Sequence, residues 1–244
     1  MEGSLIIVGT GLRLGHVTLE SKSAIEQSKK LLYLVSDPIT ISYLEDLNKT
    51  AESLFKFYVE GKDRLTIYNE IIDYIMKTLD EYKDVCVVFY GHPGVFTYPS
   101  HIVIQKAKEL GYSAIMYPGV STEDMIFSDL GIDPAIHGLQ SFEVTQFLDK
   151  DMKYDPRCYL ILWQIGVIGK DDYSQKPMVK EELNHLKGKL LLNYPKEQKI
   201  IFYVASNHKL FNPTIIKTEL SKINSTDFNP VATLIVTPNK KDNL

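Results

Sequence analysis

The sequence is poor in the features that mark several protein classes. Only two cysteines, Cys86 and Cys158, occur in 244 residues. They lie far apart in the apolar segments DVCVVFY and RCYLILW, with no C-x-x-C and no histidine at ligand spacing. That pattern excludes a disulfide-stapled secreted domain and points to reduced core thiols of a cytoplasmic protein. No apolar run reaches the ~18 residues that span a bilayer, and MEGSLIIVGTG carries no basic segment ahead of its apolar run, so neither a membrane anchor nor a secretory signal is expected. Basic residues do not cluster, and 27 Lys and Arg against 31 Asp and Glu leave a net charge of −4. A nucleic-acid footprint is therefore absent. The six histidines, His16, His92, His101, His137, His185 and His208, are scattered, and no metal site is expected from them. The sequence also has no GxxxxGK[ST], GxSxG, HExxH or EF-hand loop, no internal repeat and no low-complexity tail.

What is present is a soluble globular chain, 44% hydrophobic, long enough for one large core or two smaller ones. SLIIVGTG (4–11) reads as a buried strand ending in glycines. TLESKSAIEQSKK (18–30) opens a helix with Thr18 as N-cap and Glu20 in the first turn, where the helix dipole favours an acid. LLYLVSDP (31–38) reads as a second strand stopped by Pro38. Residues 66–83 repeat apolar side chains at a helical period, with Ile67, Ile71, Ile72, Ile75 and Leu79 on one face. VCVVFY (85–90) is a third strand, HIVIQKAKELG (101–111) a helix closed by Gly111, and SAIMYPGVS (113–121) a fourth strand into a turn. This alternation predicts a mainly parallel sheet with helices on both faces. YLILWQIGVIG (159–169), KIIFYVAS (199–206) and ATLIVTP (232–238) read as further strands. Two α/β domains are expected, 1–120 and 121–244, with PGVST as the crossover.

The strand exits hold the candidate chemistry. GTGLRLG places glycines at 9, 11 and 15, which is not the dinucleotide fingerprint G-x-G-x-x-G, so GTG is either a ligand-facing loop or a plain tight turn. YGHPGVF and PGVST are the other exits. Gly91 and Gly94 permit a ligand to approach the main chain, and Pro93 fixes one backbone angle and removes a donor. A backbone wall of this kind suits a neutral or cationic small molecule better than phosphate. His92 reads as a packing and hydrogen-bonding residue, with base chemistry as the alternative.

LIIVGTG at the start, GHPGVF at a strand exit, PGVS beyond it and LGIDPAIHGLQ resemble the tetrapyrrole methylase superfamily. With LGIDPAIHGLQSFEVTQF (130–147), LILWQ (160–164), TLIVTP (233–238) and RLTIY (64–68) following Tyr58, the chain is most similar to borosin-type peptide backbone α-N-methyltransferases over nearly its whole length. The resemblance implies two α/β domains with S-adenosylmethionine in the cleft between them and no metal. It implies cofactor contacts from Tyr90, His92, Val95, Phe96, Ser121, Gln164, Ala232 and Thr233. Ala232 stands where the family pattern has serine, which removes one hydrogen bond. It also implies a catalytic group of Arg64, Tyr68, Tyr58 and Tyr90, with Tyr68 as base or proton relay, Arg64 as its electrostatic partner, and the other two orienting the amide and the methyl donor. Taken alone, these tyrosines belong to a set of 15 and read equally as packing residues, Trp163 reads as core, and Arg64 beside Asp63 reads as a solvated charge pair.

The expectation is thus a cytoplasmic homodimer that N-methylates backbone amides. The chain ends at TPNKKDNL with no leader or core segment after its last strand, so the expected substrate is a separate precursor peptide. The alternatives are a methylase of the same fold acting on a corrinoid or porphyrinoid ring, a diphthamide precursor or ribosomal RNA, a cofactor-binding module without turnover, and an unrelated nucleotide-binding regulator.

Overall fold

The computed structural model describes residues 3–170, 172–173 and 180–239. The chain divides into two compact units. The first holds the chain up to Met125 together with Asp172, Tyr173 and the stretch Ser206–Phe211, and the second holds most of the remainder.

The first unit is built from β1 (Ser4–Gly9), α1 (Leu19–Gln27), β2 (Lys30–Leu34), α2 (Pro38–Leu47), β3 (Glu52–Ser53), α3 (Arg64–Tyr82), β4 (Asp84–Phe89), α4 (Tyr98–Glu109) and β5 (Ser113–Met116). Its sheet has the order β3-β2-β4-β1-β5, and every pairing is parallel. Both faces are covered, which is why the strands are continuously apolar. Val85, Val87 and Phe89 of β4 pack with Ile67, Ile71, Ile75 and Val103, on the side of α3 and α4. Cys86 and Val88 turn to the opposite face with Ala24, Ile25 and Leu44, on the side of α1 and α2. Burial pushes the Cys86 thiol up, as for a core residue.

Helix caps follow the local sequence. The Thr18 hydroxyl accepts the Ser21 N–H, and Asp63 Oδ2 accepts the Thr66 N–H at 2.7 Å. Gly111, at φ +84°, closes α4 with its N–H on the Lys108 carbonyl. The second strand ends at Leu34, short of the Pro38 expected to stop it, and Pro38 instead opens α2 at the first helical position, behind the Asp37 cap, a start signal hidden beneath the reading of proline as a breaker.

The second unit follows, entered within α5 (Thr122–Leu130): α6 (Pro134–His137), β6 (Leu139–Glu143), α7 (Val144–Asp149), β7 (Tyr159–Trp163), α8 (Lys180–Leu191), β8 (Lys199–Val204), β9 (Thr214–Glu219) and β10 (Thr233–Val236). Its sheet, β6-β7-β10-β8-β9, pairs in parallel only between β6 and β7, and the other pairings are antiparallel. The mainly parallel sheet expected from the alternation of the first half is the first sheet, and the second is mixed. The strand expected over 159–169 ends at Trp163, because Gln164 takes a left-handed conformation (φ +63°) and starts a 3-10 turn over Ile165–Val167. No helix among the described residues is long and apolar enough to cross a membrane.

Candidate functional site

In the first sheet the chain leaves β1 toward β2 on one side and leaves β4 toward β5 on the other, so the switch of direction falls between the neighbouring strands β4 and β1. Ligands of open α/β sheets bind beyond the strand ends at such a point. There GTG and YGHPG meet. The Gly11 N–H donates to the Gly91 carbonyl at 3.1 Å, and the Gly91 N–H returns to the Gly11 carbonyl at 3.0 Å. A Cβ on Gly9 would lie 2.2 Å from the Gly91 oxygen, and one on Gly119 2.7 Å from the same atom. These glycines let three strand exits interlock, so packing accounts for them without a ligand.

Beyond that contact the GHPGVF loop is held by its own polar atoms. His92 Nδ1 accepts the Gly94 N–H at 3.0 Å, and the Val95 N–H reaches the His92 carbonyl at 3.1 Å. His92 therefore shapes the turn. The buried Ser100 hydroxyl lies 2.5 Å from the Pro93 oxygen and 2.7 Å from that of Thr97, and His101 Nε2 sits 3.0 Å from the Gly94 oxygen. Ser100 and His101 are supports that strand-exit reasoning did not single out; their signal was their place in the first turn of the following helix. Val95 and Phe96 stay 43% and 49% exposed, and Phe96 is left-handed at φ +53°. A non-glycine residue in that region is held there by its surroundings, a condition concentrated at binding sites.

Next to this loop, Tyr58, Tyr68, Tyr90 and Phe96 line one small cavity of about 120 Å³ with Leu34, Phe89, Thr97 and Pro99. Tyr58 caps the 3-10 turn Leu54–Phe57, its ring 5.6 Å from Phe55 and 5.1 Å, edge-on, from Tyr173. Burial pushes its phenol up, the neighbouring Tyr68 and Tyr173 add to this, and the Arg64 charge opposes it. Tyr68 lies in the first turns of α3, 6.1 Å ring to ring from Tyr98. Tyr90 is half-exposed as a residue, yet desolvation and the Asp37 carboxylate raise its phenol too.

Arg64 begins α3 one helical turn before Tyr68. Its Nε donates to the Asp172 carbonyl at 3.0 Å. That segment is clamped by Gly61 N–H to the Tyr173 carbonyl (2.8 Å) and Tyr173 N–H to the Lys62 carbonyl (2.9 Å). Nothing local in the sequence signals this clamp, since its halves are more than a hundred residues apart.

The remaining candidates stand elsewhere. Ser121 is engaged in a capping pair, with its N–H and hydroxyl on Asp124 Oδ2 at 2.6 and 2.8 Å. In the second unit, Gln164 is exposed, whereas Ala232 and Thr233 are buried, with the Ala232 N–H on the Asn229 carbonyl at 2.8 Å.

The chain is 37% identical over 92% of its length to the methyltransferase/gymnopeptides precursor of Gymnopus fusipes, of which it covers 54%. It is 38% identical over 84% of its length to the methyltransferase/omphalotin A precursor of Omphalotus olearius, covering 49% of that protein. The chain thus spans about half the length of these relatives. Among solved structures, diphthine synthase superposes with a TM-score of 0.67 at 15% identity, covering 96% of this chain and 90% of that one. Uroporphyrin-III C-methyltransferase of Thermus thermophilus, complexed with S-adenosyl homocysteine, gives 0.63 at 16% identity, with coverages of 96% and 92%. Residues 4–159 match the family model of tetrapyrrole (corrin/porphyrin) methylases, and the chain belongs to that family.

Proposed function

We propose that this chain transfers methyl groups from S-adenosylmethionine to backbone amide nitrogens of a peptide. The observation that carries the reading is the gathering of Tyr58, Tyr68 and Tyr90 around one cavity, with Arg64 close enough to act on the Tyr58 phenol. The relatives support it, being named as methyltransferases joined to cyclic-peptide precursors.

The wall fits the cofactor by its chemistry. Half-exposed Val95 and Phe96 offer apolar surface beside the carbonyls of GHPG, and neither GHPGVFT nor PGVST contains Lys or Arg. Such a wall suits a sulfonium zwitterion and not a phosphate chain. Tyr90, His92, Val95, Phe96 and Ser121 would hold it from the first unit. Ser121 would have to share its hydroxyl with Asp124.

S-Adenosylmethionine supplies the methyl group and its leaving group, so the residues must position the amide and make its nitrogen nucleophilic. An amide lone pair is delocalised into the carbonyl, and the nitrogen attacks only as charge builds on the oxygen and the N–H proton departs. Tyr58, whose phenol is raised, holds its proton near neutral pH and donates to the amide oxygen. Arg64, oriented through Nε by the Asp172 carbonyl, keeps its other donors for the same charge. Tyr68 takes the N–H proton or relays it, and Tyr90 orients the methyl donor. The peptide arrives on a separate chain at a homodimer.

The test is methyl transfer from labelled S-adenosylmethionine to a peptide pool, with Tyr68→Phe and Arg64→Lys beside the parent. Each variant should lose roughly 10²-fold or more of turnover while still binding cofactor. Parent-like turnover by Tyr68→Phe removes its assigned role. Mass spectrometry locates the methyl groups, and finding them on this chain's own residues would replace the separate-substrate reading. Light scattering reads the dimer.

A further inference from the structure

A second and larger cavity, about 510 Å³, opens in the first unit between the loop after β1 and the stretch Ser206–Phe211, and Arg13, His16, Asp37, Ile39, His208 and Lys209 line it. Its size is that of a ligand pocket. Its charge is one-sided, with the cations Arg13 and Lys209 against the single carboxylate of Asp37. That carboxylate is already occupied, since Oδ2 accepts the Thr40 N–H at 2.8 Å and the Thr40 hydroxyl at 2.7 Å. Among the described residues, neither Arg13 nor Lys209 forms a salt bridge, as Lys30 does with Glu52.

Arg13 is also held in place. Its Nε donates to His16 Nε2 at 2.8 Å, which fixes the plane of the guanidinium and leaves both terminal NH2 groups for another acceptor. Burial, and then the Arg13 charge, keep the His16 imidazole below its ordinary range against the opposing Asp124 carboxylate, so it serves as an acceptor. The cavity adjoins the tyrosine cluster through the end of β2: Asp37 lines it, and Leu34, three residues earlier, lines the tyrosine cavity and accepts the Tyr90 N–H at 3.3 Å.

We propose that this cavity is a carboxylate subsite for the substrate peptide, gripped by the Arg13 guanidinium with Lys209 at the rim. The inference rests on the peptide-methylation reading and specifies which peptides are taken. The subsite selects chains carrying a carboxylate near the methylated amide. That group is a Glu or Asp side chain or the peptide's own C-terminus.

The probe is an equimolar pool of capped hexapeptides, acetylated and amidated, in which Glu at each position has a Gln twin and a Lys twin, plus members with a free C-terminal carboxylate. Retention on the full chain is read by mass spectrometry. Peptides with a carboxylate should be retained at least about tenfold over their Gln or amide twins, the size of a charge-assisted hydrogen bond. The preference should shrink with salt. Arg13→Gln should abolish it while leaving retention of the Gln twins unchanged, Arg13→Lys should restore part of it, and Arg13→Glu should favour the Lys twins. Thermal melts of the three variants confirm folding. Which member is enriched, internal Glu or free C-terminus, names the source of the carboxylate. Retention without carboxylate preference, or a preference that survives Arg13→Gln, overturns the subsite and leaves the methylation reading standing. Retention of no peptide at all overturns both.

Discussion

Glu52→Gln should destabilise the first unit at the place that presents Tyr58, and the effect should fade in acid. Glu52 sits in β3, directly before the turn that Tyr58 caps. Its carboxylate meets Lys30 Nζ at 2.7 Å, Lys56 Nζ at 2.6 Å and the Tyr74 hydroxyl at 2.5 Å. Desolvation pushes the carboxyl up, but the hydrogen bonds from Lys30, Lys56 and Tyr74 together outweigh it and hold the group at about 2, against an ordinary 4.5. At about 1.4 kcal/mol per pH unit, that difference sets a ceiling of about 3.5 kcal/mol. The side chain is 31% exposed, and solvent screening brings the expected contribution down to about 1–2 kcal/mol. Because the folded value is depressed, this stability is complete above pH 4.5 and is lost as pH falls from there toward 2. Urea unfolding of parent and variant near pH 7 and pH 3 checks it. The gap should be about 1–2 kcal/mol at the first and less than half of that at the second. A gap independent of pH, or none near neutrality, refutes the reasoning. Faster amide exchange across 52–58 in the variant would tie the loss to the Tyr58 turn.

Gly9→Ala and Gly119→Ala should each prevent stable folding or cost several kcal/mol, measured by thermal unfolding, because their methyl groups would fall 2.2 and 2.7 Å from the Gly91 oxygen. Gly94→Val should weaken cofactor binding in calorimetry, but through displacement of the loop, since its Cβ would meet Met116 Sδ at 3.1 Å and the His92 ring at 3.2 Å. A crystal structure of that variant with an unmoved loop would reject the explanation. Asp37→Ala removes the α2 cap and should cost ~1 kcal/mol in chemical unfolding.

The sequence alone determined the elements whose cause is local. β1 and β4 were legible because strands covered on both faces are apolar at every position, and α3 because one buried face repeats at the helical period. Thr18 and Gly111 acted as the cap and stop their chemistry predicts. The signature loops were legible as strand exits, and their combination was enough to reach the family. The tertiary structure decided what depends on distant partners. Pairing direction in the second sheet is set by chain routing, which no strand's own residues encode. Short β6 and β9 bury no residue fully, so neither carries the continuous apolar run that marks the other strands. The GTG loop, open in the sequence between a ligand-facing loop and a tight turn, gained a packing role at Gly9, which like Gly119 must lie against the Gly91 oxygen, a contact that exists only once three loops converge. Arg64 was readable as a neighbour of Tyr68 through the helix period, but its anchor on the Asp172 carbonyl was not. Arg13 was a residue in a glycine loop until folding set it beside His16 and the stretch carrying His208 and Lys209. Helical spacing and caps act over a few residues and are written in sequence order, whereas a cavity's charge and a loop's packing are sums over segments that only the folded chain brings together.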